Sequence, residues 1–217
     1  MLDFINNYIK TSKLDVKEKL NSDFHDIYIV EDKIKNKKLI KYIKGKRRPK
    51  IAIKDIYKKI QKFSHKNIIS IYEIIEQNDD FFVVMEYFEG INLNQYIKRN
   101  FYTSSNPNLT ILKNIFGDIA KTIDFINQNN LIHTDIIGHN ILINQKLDIK
   151  IIDFDFAILV EDSDILNTDV YSFLIMFYQY INEYNYLHNK YDLFKNIDEF
   201  KLSSLSIQNT SCIDFLN

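Results

Sequence analysis

Leu131-Ile132-His133-Thr134-Asp135-Ile136-Ile137-Gly138-His139-Asn140-Ile141-Leu142-Ile143 is the stretch whose reading decides the fold, completed by Lys150-Ile151-Ile152-Asp153-Phe154-Asp155-Phe156-Ala157 a few residues on. A carboxylate, Asp135, precedes a carboxamide, Asn140, by five positions, and a second carboxylate, Asp153, ends an apolar run thirteen positions later. Taken singly these residues say little, because an Asp at a strand end is usually a cap or turn residue. A histidine before a turn, here His133, is more often a satisfied core residue than a catalyst. Taken together they supply what phosphoryl transfer requires. A carboxylate orients an attacking hydroxyl and accepts its proton, and hard oxygen donors hold a divalent metal on the phosphates.

Outward from this stretch, periodicity sets the architecture. Toward the N-terminus, Asp26 to Asp32 and Lys38 to Ile43 read as two strands of a hairpin. Pro49 is placed to open a helix running to Phe63, since Ile53, Ile56, Tyr57, Ile60 and Phe63 recur at helical spacing. Ile68 to Ile75 and Phe81 to Glu86 read as two further strands. After Gly90 the pattern turns helical, with a short helix from Leu93 and a polar loop from Thr103 to Asn108. A long helix follows, carrying the stripe Ile111, Leu112, Ile115, Ile119, Ile123 and Ile126. Short strands at 141–143 and 149–152 come next, then an apolar helix from Thr168 to Ile181. The plan is α+β: a β-rich first lobe with one main helix, a mostly α second lobe, and a cleft between them.

The composition sets limits on partners and compartment. The chain has 217 residues, of which 46% are hydrophobic and 26% charged, so it buries a real core. Its net charge of −1 supplies no global field toward nucleic acid or anionic lipid, and argues against both as partners. The single Cys212 closes no internal disulfide and suits a reducing compartment. No apolar run reaches the roughly 18 residues of a membrane span, and Met1 to Asn7 lacks the order of a signal peptide. The expected location is the cytoplasm, of its own cell or of a host.

His133-Thr134-Asp135 with Asn140 resembles the HRDxxxxN catalytic loop of the protein kinase superfamily, and Asp153-Phe154-Asp155 resembles its DFG triplet. The likeness extends over most of the chain. Val84 to Gly90 resembles the linker between kinase lobes, His65-Lys66-Asn67-Ile68 the HPNI that closes the regulatory helix, and Asp169 to Phe173 the start of the central helix of the larger lobe. The resemblance implies a single domain, 1–217, with an N-lobe of about 1–86 and a C-lobe of about 90–217. It implies ATP and Mg²⁺ or Mn²⁺ as cofactors, Asp135 as base, and Asn140 and Asp153 as metal ligands. Met85 would guard the back of the nucleotide pocket, the backbone of Glu86 and Phe88 would face adenine, and Leu142 would form the floor beneath it. Asp169 would brace the catalytic loop.

Two lysines compete for the α and β phosphates. Ile51-Ala52-Ile53-Lys54 matches the family's VAIK letter for letter, but His65 follows Lys54 by eleven positions, too few for both a strand end and a helix. Lys41, at the end of the second hairpin strand, leaves room for that helix and is the favoured candidate. The acid that should pair with this lysine falls on Ile56, with Asp55 beside it toward the polar side of the helix.

The chain also departs from the family pattern. Leu20 to Tyr28, where the phosphate-covering loop aligns, contains no glycine, and Leu39 stands where a small alanine normally roofs adenine. Asp155 replaces the DFG glycine, Thr134 the arginine that pairs with a phosphorylated activation loop, and Ile137 a lysine near the transferred phosphate. Sixteen positions from Asp153 to Asp169 leave no room for a full activation loop. The leading expectation is a minimal Ser/Thr-type protein kinase acting on a protein substrate, constitutively active or activated by a protein partner. The basic run Lys44 to Lys50 is a candidate docking patch for that partner. A small-molecule or glycan kinase and a non-catalytic binding module of kinase shape stand as the two alternatives.

Overall fold

A computed structural model of the chain describes residues 2–21, 25–43, 50–77, 80–104, 107–160 and 168–188. The tip of the glycine-free loop (22–24), most of the basic run (44–49), the segment 161–167 and the stretch 189–217 lie outside the described residues. Two compact units are present, Met1–Glu89 and Gly90–Asn217.

The first unit is a five-stranded antiparallel sheet with a helix on each face. In chain order the elements are α1 (Leu2–Thr11), β1 (Asp15–Asn21), β2 (His25–Glu31), β3 (Lys37–Ile43), α2 (Lys50–Ile60), β4 (Ile71–Gln77) and β5 (Asp80–Glu86), and the strand order is β1-β2-β3-β5-β4. The expected hairpin is β2-β3, with Tyr28 opposite Ile40. Asp32 shapes its turn: Oδ1 accepts from Ile34 N (3.0 Å) and Asn36 N (2.9 Å). Side chains alternate across the sheet. Tyr28, Val30, Ile40, Tyr42, Phe82 and Val84 point to one face and bury Ile5 and Ile9 of α1. Phe4 and Tyr8 set their rings against Phe82 at 4.9 and 5.1 Å. On the opposite face α2 buries Ile53, Ile56, Tyr57 and Ile60.

α1 and β1 go beyond the sequence expectation, which assigned no element to the opening residues. The signal was present: Phe4, Ile5, Tyr8 and Ile9 repeat at helical spacing, with Asp3 in the first turn and Lys10 in the last, each favourable to the helix dipole. The expected strand at 68–75 is displaced to Ile71–Gln77. Ile68, in an isolated β-bridge, and Ile69 are buried just before it.

The second unit begins with β6 (Ile91–Asn92) and α3 (Leu93–Ile97), then a π turn (Lys98–Tyr102) and α4 (Leu109–Gln128). Asn92 caps α3 with a capping box closed by Gln95. The apolar stripe of α4 is buried from Leu112 to Ile126, with Ile111 half-buried. β7 (Leu131–Ile132), β8 (Ile141–Ile143), β9 (Ile149–Ile151), β10 (Ile158–Leu159) and α5 (Thr168–His188) complete the unit. α5 runs seven residues past the expected end at Ile181. β6, β8 and β9 form a small antiparallel sheet, and β7 pairs with β10. α5 packs on α4 through rings, Phe116 lying 4.7 Å from Phe177 and 5.9 Å from Phe173. Among the described residues, no helix is long and apolar enough to cross a membrane.

Candidate functional site

The loop between β7 and β8 turns abruptly at Thr134, whose φ of 64° lies in the left-handed region that a β-branched residue rarely adopts. Asp169, in the first turn of α5, holds the loop in that shape. Its buried carboxylate accepts from His133 N through Oδ2 (2.7 Å) and from Thr134 N through Oδ1 (2.8 Å), the bracing role the resemblance implied. Asn127 near the end of α4, in the amide orientation that satisfies both its ends, donates to Asp169 Oδ2 (3.3 Å) and Leu131 O (3.2 Å). Burial pushes the Asp169 carboxyl above its ordinary pKa, and the two backbone N–H groups act in the other direction.

The His133 ring is fully buried and lies 4.5 Å from that of Phe154. Nε2 meets Ile152 O at 3.0 Å and Nδ1 accepts from Asp135 N at 3.3 Å, so this pattern assigns the neutral ring with its hydrogen on Nε2. Burial lowers its pKa, favouring the same form. His133 is therefore structural, as the sequence suggested.

Asp135 and Asn140 come together because a 3₁₀ turn, Gly138–Asn140, folds the chain back on itself. Ile137 N donates to Asp135 O (3.0 Å) and Asn140 N to Ile137 O (2.9 Å). Asn140 Nδ2 then donates to Asp135 O (3.0 Å) and Asp135 Oδ2 (2.7 Å). The turn is tight enough that a Cβ at Gly138 would overlap the Tyr180 hydroxyl and Asn94 Oδ1, two groups hydrogen-bonded to each other. Asn140 O also accepts from Ile152 N (2.9 Å), which sets Asn140 beside the residue preceding Asp153. Asp153 leaves β9 at φ 64°. With the amide nitrogen committed to Asp135, Asn140 presents Oδ1, and a carboxamide oxygen beside a carboxylate fits a hard divalent cation.

The other expected nucleotide contacts divide between the units. Leu142 is half-buried at the middle of β8, opposite Asn92 and Lys150. In the first unit, Lys41 is buried on β3 and its Nζ donates to Tyr57 Oη on α2 (3.4 Å). Lys54 lies on α2, not on a strand, and pairs with Glu76 at 3.0 Å. Ile56 is buried and Asp55 is exposed. Tyr57, one position on, is an α2 residue that meets Lys41, through a hydroxyl where the family alignment leads one to expect an acid. Met85 is buried on β5 between Leu39 and Ile71. Glu86 N donates to Ser70 O (2.9 Å) while its Oε2 accepts from Ser70 N (3.1 Å), fixing the start of the stretch that carries the half-buried Phe88.

Comparison with known proteins agrees with this geometry. A protein kinase domain family model matches residues 23–196, with α1 and β1 ahead of the match. The chain is 38% identical over 105 residues to the serine/threonine-protein kinase PrkC of Bacillus subtilis (strain 168), covering 48% of this chain and 16% of that protein. It is 29% identical over 174 residues to a Dictyostelium discoideum protein named as a probable serine/threonine-protein kinase, covering 75% of this chain and 24% of that one. It is also 34% identical over 146 residues to calcium-dependent protein kinase 6 of Plasmodium berghei (strain Anka), covering 65% of this chain and 9% of that one. The alignments thus span a quarter or less of each relative's length. With 174 of its 217 residues inside the family match and the braced Asp135–Asn140 loop in place, the chain belongs to the protein kinase family of phosphotransferases.

Proposed function

We propose that the chain transfers the terminal phosphoryl group of ATP to a serine or threonine hydroxyl of a protein substrate, with Mg²⁺ or Mn²⁺ as cofactor. The observation that carries this reading is the Asp135–Asn140 pair. Asn140 Nδ2 fixes Asp135 Oδ2 at 2.7 Å, leaving Oδ1 to orient a hydroxyl and accept its proton. The substrate oxygen forms the new bond to phosphorus as the bridging bond to ADP breaks, and the hydroxyl proton passes to Asp135. A divalent metal held by Asn140 and Asp153 would supply neutralisation of the phosphate charge. Lys41 grips the α and β phosphates, Met85 backs the pocket, the backbone of Glu86 and Phe88 faces adenine, and Leu142 lies beneath the ring. The protein contributes positioning and electrostatics more than covalent chemistry.

Thr134 in place of an arginine, together with the short span from Asp153 to Asp169, supports activity that does not depend on phosphorylation between Asp153 and Asp169. Control by a protein partner fits better, and the dense positive charge of the sequence from Lys44 to Lys50 makes that run the candidate docking patch. The lone Cys212 fits a reducing, cytoplasmic setting. One domain, 1–217, carries all of these roles.

The test is transfer from labelled ATP to lysate proteins and, separately, to small metabolites. Asp135→Ala is expected to keep metal-dependent nucleotide binding and lose transfer, by roughly a hundredfold or more, whereas Asp153→Ala loses that binding. Label in small molecules alone would favour the glycan or metabolite kinase. Nucleotide binding without transfer by the wild type would favour the binding module.

A further inference from the structure

Two consecutive residues of the catalytic loop hold the Asp153-Phe154-Asp155 triplet at both ends. His133 Nε2 bonds to Ile152 O, the carbonyl just before it, at 3.0 Å, and Thr134 Oγ1 donates to Phe156 O, the carbonyl just after it, at 2.8 Å. Between those two anchors the chain turns through Asp153 at φ 64° and closes with Ala157 N on Phe154 O (3.0 Å). It then returns as β10, pairing Ile158 with Ile132 and Leu159 with Leu131. Thr134 makes this contact from a left-handed backbone, φ 64°, which a β-branched residue rarely adopts. Asp169 Oδ1 on Thr134 N and the Phe156 carbonyl on its hydroxyl are the two contacts that hold it there.

We infer that Thr134 is a positioning residue whose hydroxyl, tied to the Phe156 carbonyl, holds the Asp153 turn in its working shape without any phosphate. This rests on the catalytic reading above and deepens it, because it replaces control by a phosphorylated loop with a tether built into the chain. Every atom of this tether belongs to residues 131–169. The tether acts on Asp153 through backbone. Its loss therefore loosens a proposed metal ligand while leaving Asp135, Asn140 and their mutual hydrogen bond in place.

The experiment compares Thr134→Val, which keeps shape and branching but removes the hydroxyl, with Thr134→Ser, which keeps the hydroxyl. Thr134→Val is expected to lower kcat roughly ten- to a hundredfold and to raise the Mg²⁺ concentration for half-maximal rate, with KM for the protein substrate unchanged. Thr134→Ser is expected to restore both to near wild type. Amide exchange at Ala157 to Leu159 should quicken in the valine variant and not in the serine variant. Should Thr134→Val fold poorly, Thr134→Gly removes the same hydroxyl while relaxing the positive φ, and the same losses are expected. Equal kcat, Mg²⁺ dependence and exchange in the hydroxyl-free variants and wild type would overturn the inference, as would a serine variant as impaired as the valine one. A wild-type chain that transfers no phosphate would remove the catalytic reading instead, and the exchange comparison would still decide the tether.

Discussion

Single side chains at this site are set by what they are tied to more than by their identity. Lys41 and Lys54 show this. Both are lysines near a kinase-like motif, yet one is buried on β3 against Tyr57 Oη and the other is half-exposed in an ion pair with Glu76. If Lys41 holds the phosphates as proposed, Lys41→Met should reduce turnover by about two orders of magnitude or more, because it would remove a charge from them in a low-dielectric site. Lys54→Met breaks a solvent-screened pair with Glu76, which keeps Lys58, and should leave turnover near wild type. Steady-state rates of the two variants check this, and the reverse ranking would move the phosphate-binding role to Lys54. His133 carries a pH signature of the opposite kind. Burial depresses its pKa in the folded chain, so the unfolded chain takes up the proton first as pH falls through about 6.5. Stability is therefore lost on acidification below that point, by at most about 1.4 kcal/mol per pH unit for one proton. Asp169, with its raised pKa, works against this from the carboxylate range upward. The difference between wild type and His133→Phe isolates the histidine. Melting temperatures from pH 7 to 5 should fall more steeply for wild type, and parallel curves would show that His133 does not titrate on unfolding.

Elements act here mainly as supports for short turns. α4 supplies Asn127, α5 supplies Asp169 and Tyr180, and α3 supplies Asn94, and between them these side chains enclose a loop of fewer than ten residues. Gly138 is the point of closest approach, and it is needed for space rather than for a left-handed backbone, since no glycine of the described residues has positive φ. Gly138→Ala should force apart the Tyr180–Asn94 contact or shift the 3₁₀ turn, destabilising the chain by roughly 1–3 kcal/mol. Because the turn delivers Asn140 to Asp135, activity should fall further than stability alone explains. Chemical denaturation paired with rate measurement on the folded fraction checks this, and an alanine variant with unchanged midpoint and rate would show that the helices yield easily. The same packing explains why α5 extends past the sequence estimate. Phe101 rests 4.4 Å from Tyr184, and Tyr102 Oη donates to Glu183 at 3.3 Å, giving the last turns of α5 a partner that its own periodicity does not announce.

For the molecule as a whole, a ligand that binds the folded chain alone must stabilise it. Mg·ATP at about 100 times its dissociation constant should add roughly 2.7 kcal/mol. A thermal shift with ATP and Mg²⁺ or Mn²⁺, absent with either alone and lost in Asp153→Ala, is the expected outcome. No shift with any combination would count against nucleotide use. Much of this protein is legible in its sequence, because the features concerned are local or periodic. The hairpin β2-β3, the α4 stripe, the strand at 141–143 and the spacing of Asp135, Asn140 and Asp153 follow from side-chain alternation, helical repeat and fixed offsets along one chain. Departures are legible in the same way: Thr134, Leu39 and Asp155 are visible as soon as the motif is aligned. What only the tertiary structure decides are the relations between residues far apart in sequence. Phe4, Ile5, Tyr8 and Ile9 mark a helix, but the face of β2, β3 and β5 that gives it a place lies up to about 80 residues away. Tyr57 as the partner of Lys41, Asn127 behind Asp169, and Tyr180 over Gly138 are likewise set by packing. The Thr134 hydroxyl looks like a simple loss when read against a lost arginine. Only the fold, by bringing the Phe156 carbonyl to 2.8 Å, gives that hydroxyl a bond of its own.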